Sequence, residues 1–475
     1  MRPRFQVKLF SQPSPLAGHV VMDICKTISP VDLRKPLTQL FELAAKKTAA
    51  LDKRWRTADG APVITAQGKY TTREWTQWTQ GFQYGNALLA FELTGDKKLL
   101  AIGRDHTLRD MAPHLTNRGV HDHGFNNVST YGQLRRLMLE GRIPHDDREL
   151  RFYELALRVS GAVQASRWTP LPDGGYIYSF NGPHSLFIDT MRTLRVCGLA
   201  HVLGHELGGE QDQKINLLAR LLQHAAATAQ YNIYYGEGRD SYDTKEHRGR
   251  VAHEAIFNPV SGVYRCPSSQ QGYSPFSTWT RGLAWAMLGF AEELEFLRSL
   301  SEKDFEACGA SKARELALME KAALVTCDFY IDQATAADGL CYWDTGAPNL
   351  HKLGDWRLVP ADPYNQYEPV DASASAIAAQ GLIRLGASLG ARGKQYLLAG
   401  LTVSRRLLEE PYLSTDLKHE GLLLHCIYHR PNGWDCVPKG SSIPAGESCM
   451  WGDYHLLELG LLIWRMAEKK YYTFF

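Results

Sequence analysis

Apolar side chains recur along most of the chain at spacings of three and four, the period of a helix with one buried face. In 277–299, for example, Trp279, Leu283, Ala286, Phe290 and Leu294 fall on one side. This period predicts about twelve helices, at 36–53, 80–94, 96–113, 126–140, 145–166, 184–203, 210–231, 277–299, 310–333, 372–386, 391–409 and 450–468. Strand-like alternation is scarce, and only YIYSF (176–180) and GLCYW (339–343) read as small ribbons beside a helix. Asp371 precedes a run rich in Ala, Ser and Gly and reads as an N-cap. Side chains that small let backbones approach closely, as an inner helix of a crowded bundle requires.

The predicted helices come in pairs with unequal connections. TGD (94–96) is short, whereas 167–183, 232–276, 334–371 and 410–449 are long and rich in Gly, Pro and aromatics. Long loops in a compact domain are functional or disordered, and the Trp, Tyr and His content argues for order. Helical hairpins with their elaborate loops on one rim predict a closed all-α ring, an α/α barrel. An open solenoid would need a clear sequence repeat, and none is visible. Residues 1–35 are irregular and contain Pro; they read as an N-terminal arm, leaving 36–475 as the barrel domain.

Composition narrows the classes. The chain has 475 residues, 44% hydrophobic and 22% charged, an ordinary balance for a globular protein. By length alone it could hold two or three domains, but repeat-built barrels reach this size as one unit. With 53 basic and 51 acidic side chains it lacks the basic footprint of a nucleic-acid binder. It has no apolar run of about 20 residues for a membrane span, and its first 25 residues lack the apolar core of a secretory signal. Nine scattered cysteines without a C-x-x-C predict free thiols in a reducing, cytoplasmic setting.

Three stretches carry candidate chemistry. GVHDHGFNNVSTYG (119–132) sets His121, Asp122 and His123 in a row between two helical segments. A turn needs Gly and Asn, but not an acid between two histidines. A helix cap supplied by Asn126 or Asn127 is the plainer alternative. In GPHSLFIDTMRTLRVCGLAH (182–201), Asp189 follows Leu186, Phe187 and Ile188. A carboxylate in an apolar run costs energy unless paired or used, and burial would raise its pKa toward that of a proton donor. A helix N-terminus and Arg192, one turn on, pull the other way, so an Asp189–Arg192 ion pair is the alternative. In SSQQGYSPFSTWTRGLAWAMLGF (268–290), Gln271 lies in a loop, while Trp279, Arg281 and Trp285 open a helix. A guanidinium among indoles suits a sugar acid, through a bidentate ion pair and flat faces over the ring. A cation–π pair in the core is the alternative. His201 with His205, and His425 with His429, stand four apart but lack the H-E-x-x-H order, and no metal site is expected.

WTQGFQYGNALLAFELTGD (78–96), HDHGF, FIDTM, HEAIFNPVSG, QQGYSPFSTWTRGLAWAMLGF, DASASAIAA and ESCMWGDY follow one another in order. Together they resemble the unsaturated glucuronyl hydrolases, glycoside hydrolase family 88, over roughly 75–468. The resemblance implies an (α/α)6 barrel. It also implies hydration of the C4–C5 double bond of a 4,5-unsaturated uronic acid at the non-reducing end of a lyase-generated oligosaccharide, with no metal or organic cofactor. It makes Asp189 the general acid/base and Asp122 the second essential carboxylate. It gives sugar contacts to His121 and His253, and the binding motif to Gln271, Trp279, Arg281 and Trp285. The chain departs from the family at Arg192 and Thr193, at Gln83, and in longer loops at 232–252 and 344–369. A hydrolase of saturated β-glucuronides would use the same two carboxylates. A sugar epimerase with paired histidines and a carbohydrate-binding protein without catalysis are the readings from other classes.

Overall fold

In the computed structural model, which describes residues 22–73 and 77–475, the helical period is realised as twelve principal helices. They are α1 (Arg34–Arg54), α2 (Gln80–Thr94), α3 (Lys97–Asp110), and α4, a π-helical stretch Gly124–Gly132 running on as Gln133–Leu139. Next come α5 (Asp147–Ser166), α6 (Thr190–Thr193 and Arg195–Val202), α7 (Leu217–Tyr231) and α8 (Thr280–Ser299). The last four are α9 (Lys312–Phe329), α10 (Ala372–Leu389), α11 (Lys394–Leu407) and α12 (Met450–Ala467). The even-numbered helices pack side by side in a ring that closes where α12 meets α2, and the odd-numbered ones lie outside it. This is the predicted (α/α)6 barrel.

Composition explains which helix goes where. In inner α10 only Ala387 and Ser388 escape burial, and Asp371 caps it by accepting from the Ser373 and Ala374 N–H groups. Outer α5 buries one stripe: Tyr153, Ala156, Leu157, Ser160, Gly161 and Gln164. Glycines let the inner helices touch backbone to backbone. A Cβ on Gly81 would lie 2.3 Å from Asn126 O, and one on Gly124 would lie 2.2 Å from Thr193 O.

Each connection from an outer helix to the next inner one is long: 55–79, 111–123, 167–189, 232–279, 335–371 and 408–449. Most returns are shorter, such as 95–96 and 390–393, with 203–216 the exception. The long loops therefore gather at one rim, with the N-termini of all six inner helices.

Two predicted helices begin later than their periodicity indicates. The 184–203 segment opens with a strand, Ser185–Phe187, in a three-stranded sheet with Glu254–Phe257 and Tyr264–Ser268. A three-residue apolar run fits either element, and the partner strand decides. Residues ahead of α7 form the hairpin Glu206–Gly208 and Lys214–Asn216. YIYSF overlaps the strand Gly174–Ile177 at Tyr176 and Ile177, whereas Tyr342 of GLCYW makes an isolated bridge to Val370. Of the expected arm, residues 1–21 lie outside the described residues; beyond them Met22 and Leu33 are buried against the barrel. No helix among the described residues is long and apolar enough to cross a membrane.

Candidate active site

A cavity opens at the long-loop rim. His121, Asp122, Asp189, Gln271, Trp279, Arg281 and Trp285 all line it. His253 stands directly behind Asp189, its Nε2 4.0 Å from Asp189 Oδ2.

Asp189 is placed by the junction of a strand and a helix. Phe187 pairs with Glu254, the Ile188 N–H donates to His253 O at 3.0 Å, and α6 begins at Thr190. The side chain caps nothing, is 7% exposed, and leaves Oδ1 without a hydrogen-bond partner. The alternative ion pair is not formed. Arg192 turns toward the barrel axis, where it binds Glu292 of α8 and, at 2.6 Å, Glu458 of α12. Burial raises the Asp189 carboxyl from 3.8 to about 7; the Arg281 charge opposes the rise and the Asp122 charge adds to it.

Asp122 lies on the turn before α4, with His121 Nε2 3.8 Å from its Oδ1. Burial lowers the pKa of His121 far enough to keep it neutral, and its ring packs on Phe180 and Phe187. His123 turns away from the cavity to Ser160 Oγ and Asn117 O. Neither asparagine is the cap of α4. Asn126 Oδ1 accepts from the Gly81 N–H of α2, and Asn127 Nδ2 donates to Ser160 Oγ.

Hydrogen bonds assign the His253 tautomer. Its Nδ1 accepts from the Gln270 and Gln271 N–H groups at 3.0 and 3.3 Å, so the proton sits on Nε2, toward Asp189. Burial drives its pKa down to about 3, and the ring is neutral.

Arg281 lines the cavity and is also tied into the protein. Nη1 donates to Asp371 Oδ2 (3.3 Å) and Ile427 O, and Nη2 to Gln271 Oε1 (2.8 Å) and Tyr428 O (2.8 Å). The guanidinium sits 4.5 Å from the Trp279 ring and 4.8 Å from the Trp451 ring. Both terminal nitrogens are thus engaged by the protein, which leaves no fork for a bidentate grip on a sugar acid. What Arg281 offers the cavity is positive potential and a fixed Gln271.

The cavity also takes Trp78, Phe125, Phe180, Tyr428, His429 and Trp434, which periodicity did not single out. Trp78 and Phe125 stood inside the WTQGF and HDHGF motifs and His429 in a spaced histidine pair, whereas Phe180, Tyr428 and Trp434 had only the aromatic content of long loops as a signal. Of the spaced histidine pairs, His201 meets Asp304 at 3.4 Å, and His425 accepts from the Gly446 N–H. Among the described residues no three His, Cys, Asp or Glu side chains come together as a metal site.

No protein-family model matches the chain. An unsaturated glucuronyl hydrolase of Formosa agariphila is 25% identical over 386 residues, covering 80% of this chain and 78% of its own. An unsaturated chondroitin disaccharide hydrolase of Streptococcus pyogenes serotype M1 is 26% identical over 438 residues, 90% of each chain. Among solved structures, an unsaturated glucuronyl hydrolase specific for heparin superimposes with a TM-score of 0.67 at 19% identity, over 92% of this chain and 99% of its own. The unsaturated glucuronyl hydrolase of Bacillus sp. GL1 gives 0.64 at 23% identity, over 91% and 97%. In sequence along four-fifths or more of its length, and in its closed barrel, the chain resembles the unsaturated glucuronyl hydrolases.

Proposed function

We propose that the chain is a glycoside hydrolase that removes a 4,5-unsaturated uronic acid from the non-reducing end of lyase-generated oligosaccharides. The observation that carries this reading is Asp189, a buried carboxyl with a pKa of about 7, on a cavity shared with Asp122 and rings fit to cover a sugar. Protonated Asp189 gives its proton to C4, and positive character develops at C5 beside the ring oxygen. Asp189, now a carboxylate, takes a proton from the water that adds at C5. The resulting hemiketal opens and releases the remaining sugar. Asp122 stays charged, orients the ring and helps keep Asp189 protonated. The Nε2–H of His253 faces Asp189 and suits a donor to the sugar or to the incoming water. Six inner-helix N-termini and Arg281 give the rim a positive potential for the sugar acid. All nine cysteines are free, which fits a cytoplasmic setting.

The test uses the substrate's own chromophore. The protein should bleach the ultraviolet absorbance of unsaturated disaccharides, and heavy-oxygen water should place its label at C5. Label at the anomeric carbon of a released saturated glucuronic acid, without bleaching, would establish the saturated-glucuronide reading instead.

A further inference from the structure

Arg167, the residue after outer helix α5, is a buried cation that the chemistry above does not use; it is 3% exposed. Its Nε donates to Tyr178 O (3.1 Å), its Nη2 to Ser179 O (2.7 Å) and its Nη1 to Arg118 O. The guanidinium also lies 4.3 Å from the Tyr178 ring. These partners are carbonyls and a phenol ring, and they leave its charge unneutralised.

Two more side chains continue the same face of α5. Gln164 accepts from the His123 N–H (3.2 Å) and donates to Thr193 Oγ1 (2.6 Å), which itself donates to His121 O (2.9 Å). Ser160 Oγ meets His123 Nδ1 at 3.0 Å. Positions 160, 164 and 167 recur at four and three, a single stripe. The stripe fastens the 117–123 turn, which carries Asp122, and the 178–180 turn, whose Phe180 stacks on His121.

We propose that Arg167 is the positioning residue of Asp122, fixing the turn that carries it and supplying the buried positive charge that keeps it ionised opposite Asp189. This rests on the reading of Asp122 and Asp189 as the working pair. Among the described residues, the charged and titratable groups on the cavity and turns around Asp122 are Asp189 across the cavity, Arg281 and His429 on its wall, His253 behind Asp189, His121 and His123 on the same turn, exposed Arg118, and Arg167. Burial keeps the four histidines neutral, Asp189 is of like sign, and Arg281 is ion-paired to Asp371. Of these two buried cations, Arg281 is shared with Asp371 and Asp189, whereas Arg167 has only carbonyls among its hydrogen-bond partners, and the attraction between it and Asp122 partly offsets the burial that lowers the Arg167 pKa.

Arg167→Met and Arg167→Lys test the proposal through the pH profile of kcat/KM on an unsaturated disaccharide. Arg167→Met should move the acid limb toward neutral by roughly one pH unit, since an opposite charge has been lost. It should also lower kcat by about ten- to a hundredfold through misplacement. Arg167→Lys should bring the limb back but not the full kcat, because an ammonium cannot hold three carbonyls as a guanidinium does. A merely structural role would lower Tm and leave the limb in place, and superimposable limbs overturn the proposal. Should Arg167→Met not fold, wild-type kcat in Arg167→Lys overturns it instead. Carboxyl-carbon NMR of Asp122, assigned with Asp122→Asn, follows the same ionisation without substrate. An unchanged Asp122 midpoint in Arg167→Met defeats the Arg167 proposal, whereas a wild type that leaves unsaturated disaccharides intact defeats the functional reading.

Discussion

At the scale of single residues, Asp189 carries opposite consequences for stability and for rate. Its carboxyl rises from 3.8 to about 7 on folding, so between those values the folded chain holds a proton that the unfolded chain has released. Stability attributable to this group is therefore lost as pH rises through that window, and the loss is complete above about pH 7. Asp189→Asn, which cannot ionise, should be more stable than wild type at pH 8 and closer to it at pH 4, by an amount on the order of 1–4 kcal/mol. The same variant should lose on the order of 10²–10⁴ in kcat, the range for removed acid–base catalysis. Denaturant melts at the two pH values and turnover of an unsaturated disaccharide check both, and near-wild-type turnover would remove Asp189 from the mechanism. Arg281 behaves otherwise. It neutralises buried Asp371 and holds two carbonyls, so Arg281→Ala should cost about 3–5 kcal/mol, the range for a broken buried ion pair. A melt that matches wild type, with only KM changed, would return Arg281 to the expected role of a free clamp for the sugar acid.

At the scale of elements, the inner ring is held at short range by glycine. Gly81 of α2 faces the Asn126 backbone of α4, and an added Cβ would meet Asn126 O at 2.3 Å and Asn126 Cα at 2.4 Å. Backbone on both sides cannot yield as a flexible side chain can, so Gly81→Ala should destabilise by about 1–3 kcal/mol or more. Gly208, in the hairpin ahead of α7, has open space around its added Cβ, and Gly208→Ala should lie within about 0.5 kcal/mol of wild type. Thermal melts of the pair separate the two cases, and equal Tm values would show that the inner helices can move apart freely.

At the scale of the whole molecule, closure sets both cooperativity and the site. A single core cluster reaches from Leu37 in α1 to Ile463 in α12, and Ile64 bridges to Cys449 where the two ends of the described barrel meet. No helix pair can leave without exposing the neighbours on both sides, so calorimetry should record one unfolding transition, whereas two resolved peaks would divide the ring into separate units. The alternation of outer and inner helices also brings all six outer-to-inner loops to the same rim. Residues from Trp78 to Trp434 share one cavity for that reason.

Much of this was legible in the sequence because it depends on local physics. The 3.6-residue period reports which face of a helix is buried, the small residues of α10 report a close neighbour, and Asp371 reports the cap it supplies. Asp122 and Asp189 stood out because a charge among glycines or apolar side chains is locally unexpected. Tertiary structure decided the choice of partner. Arg192 lies one turn from Asp189, yet it binds Glu292 across 100 residues of chain and Glu458 across 266. Arg281 reaches Asp371 across 90 and Tyr428 across 147, where a free clamp was expected. The strand Ser185–Phe187, which aims Asp189, exists because Glu254–Phe257 lies beside it. A buried charge takes whichever opposite charge or carbonyl the closed ring brings within reach, because leaving it unpaired costs several kcal/mol, about the net stability of a domain. Sequence spacing determines that the helices form; only the closed barrel determines what their charged side chains meet.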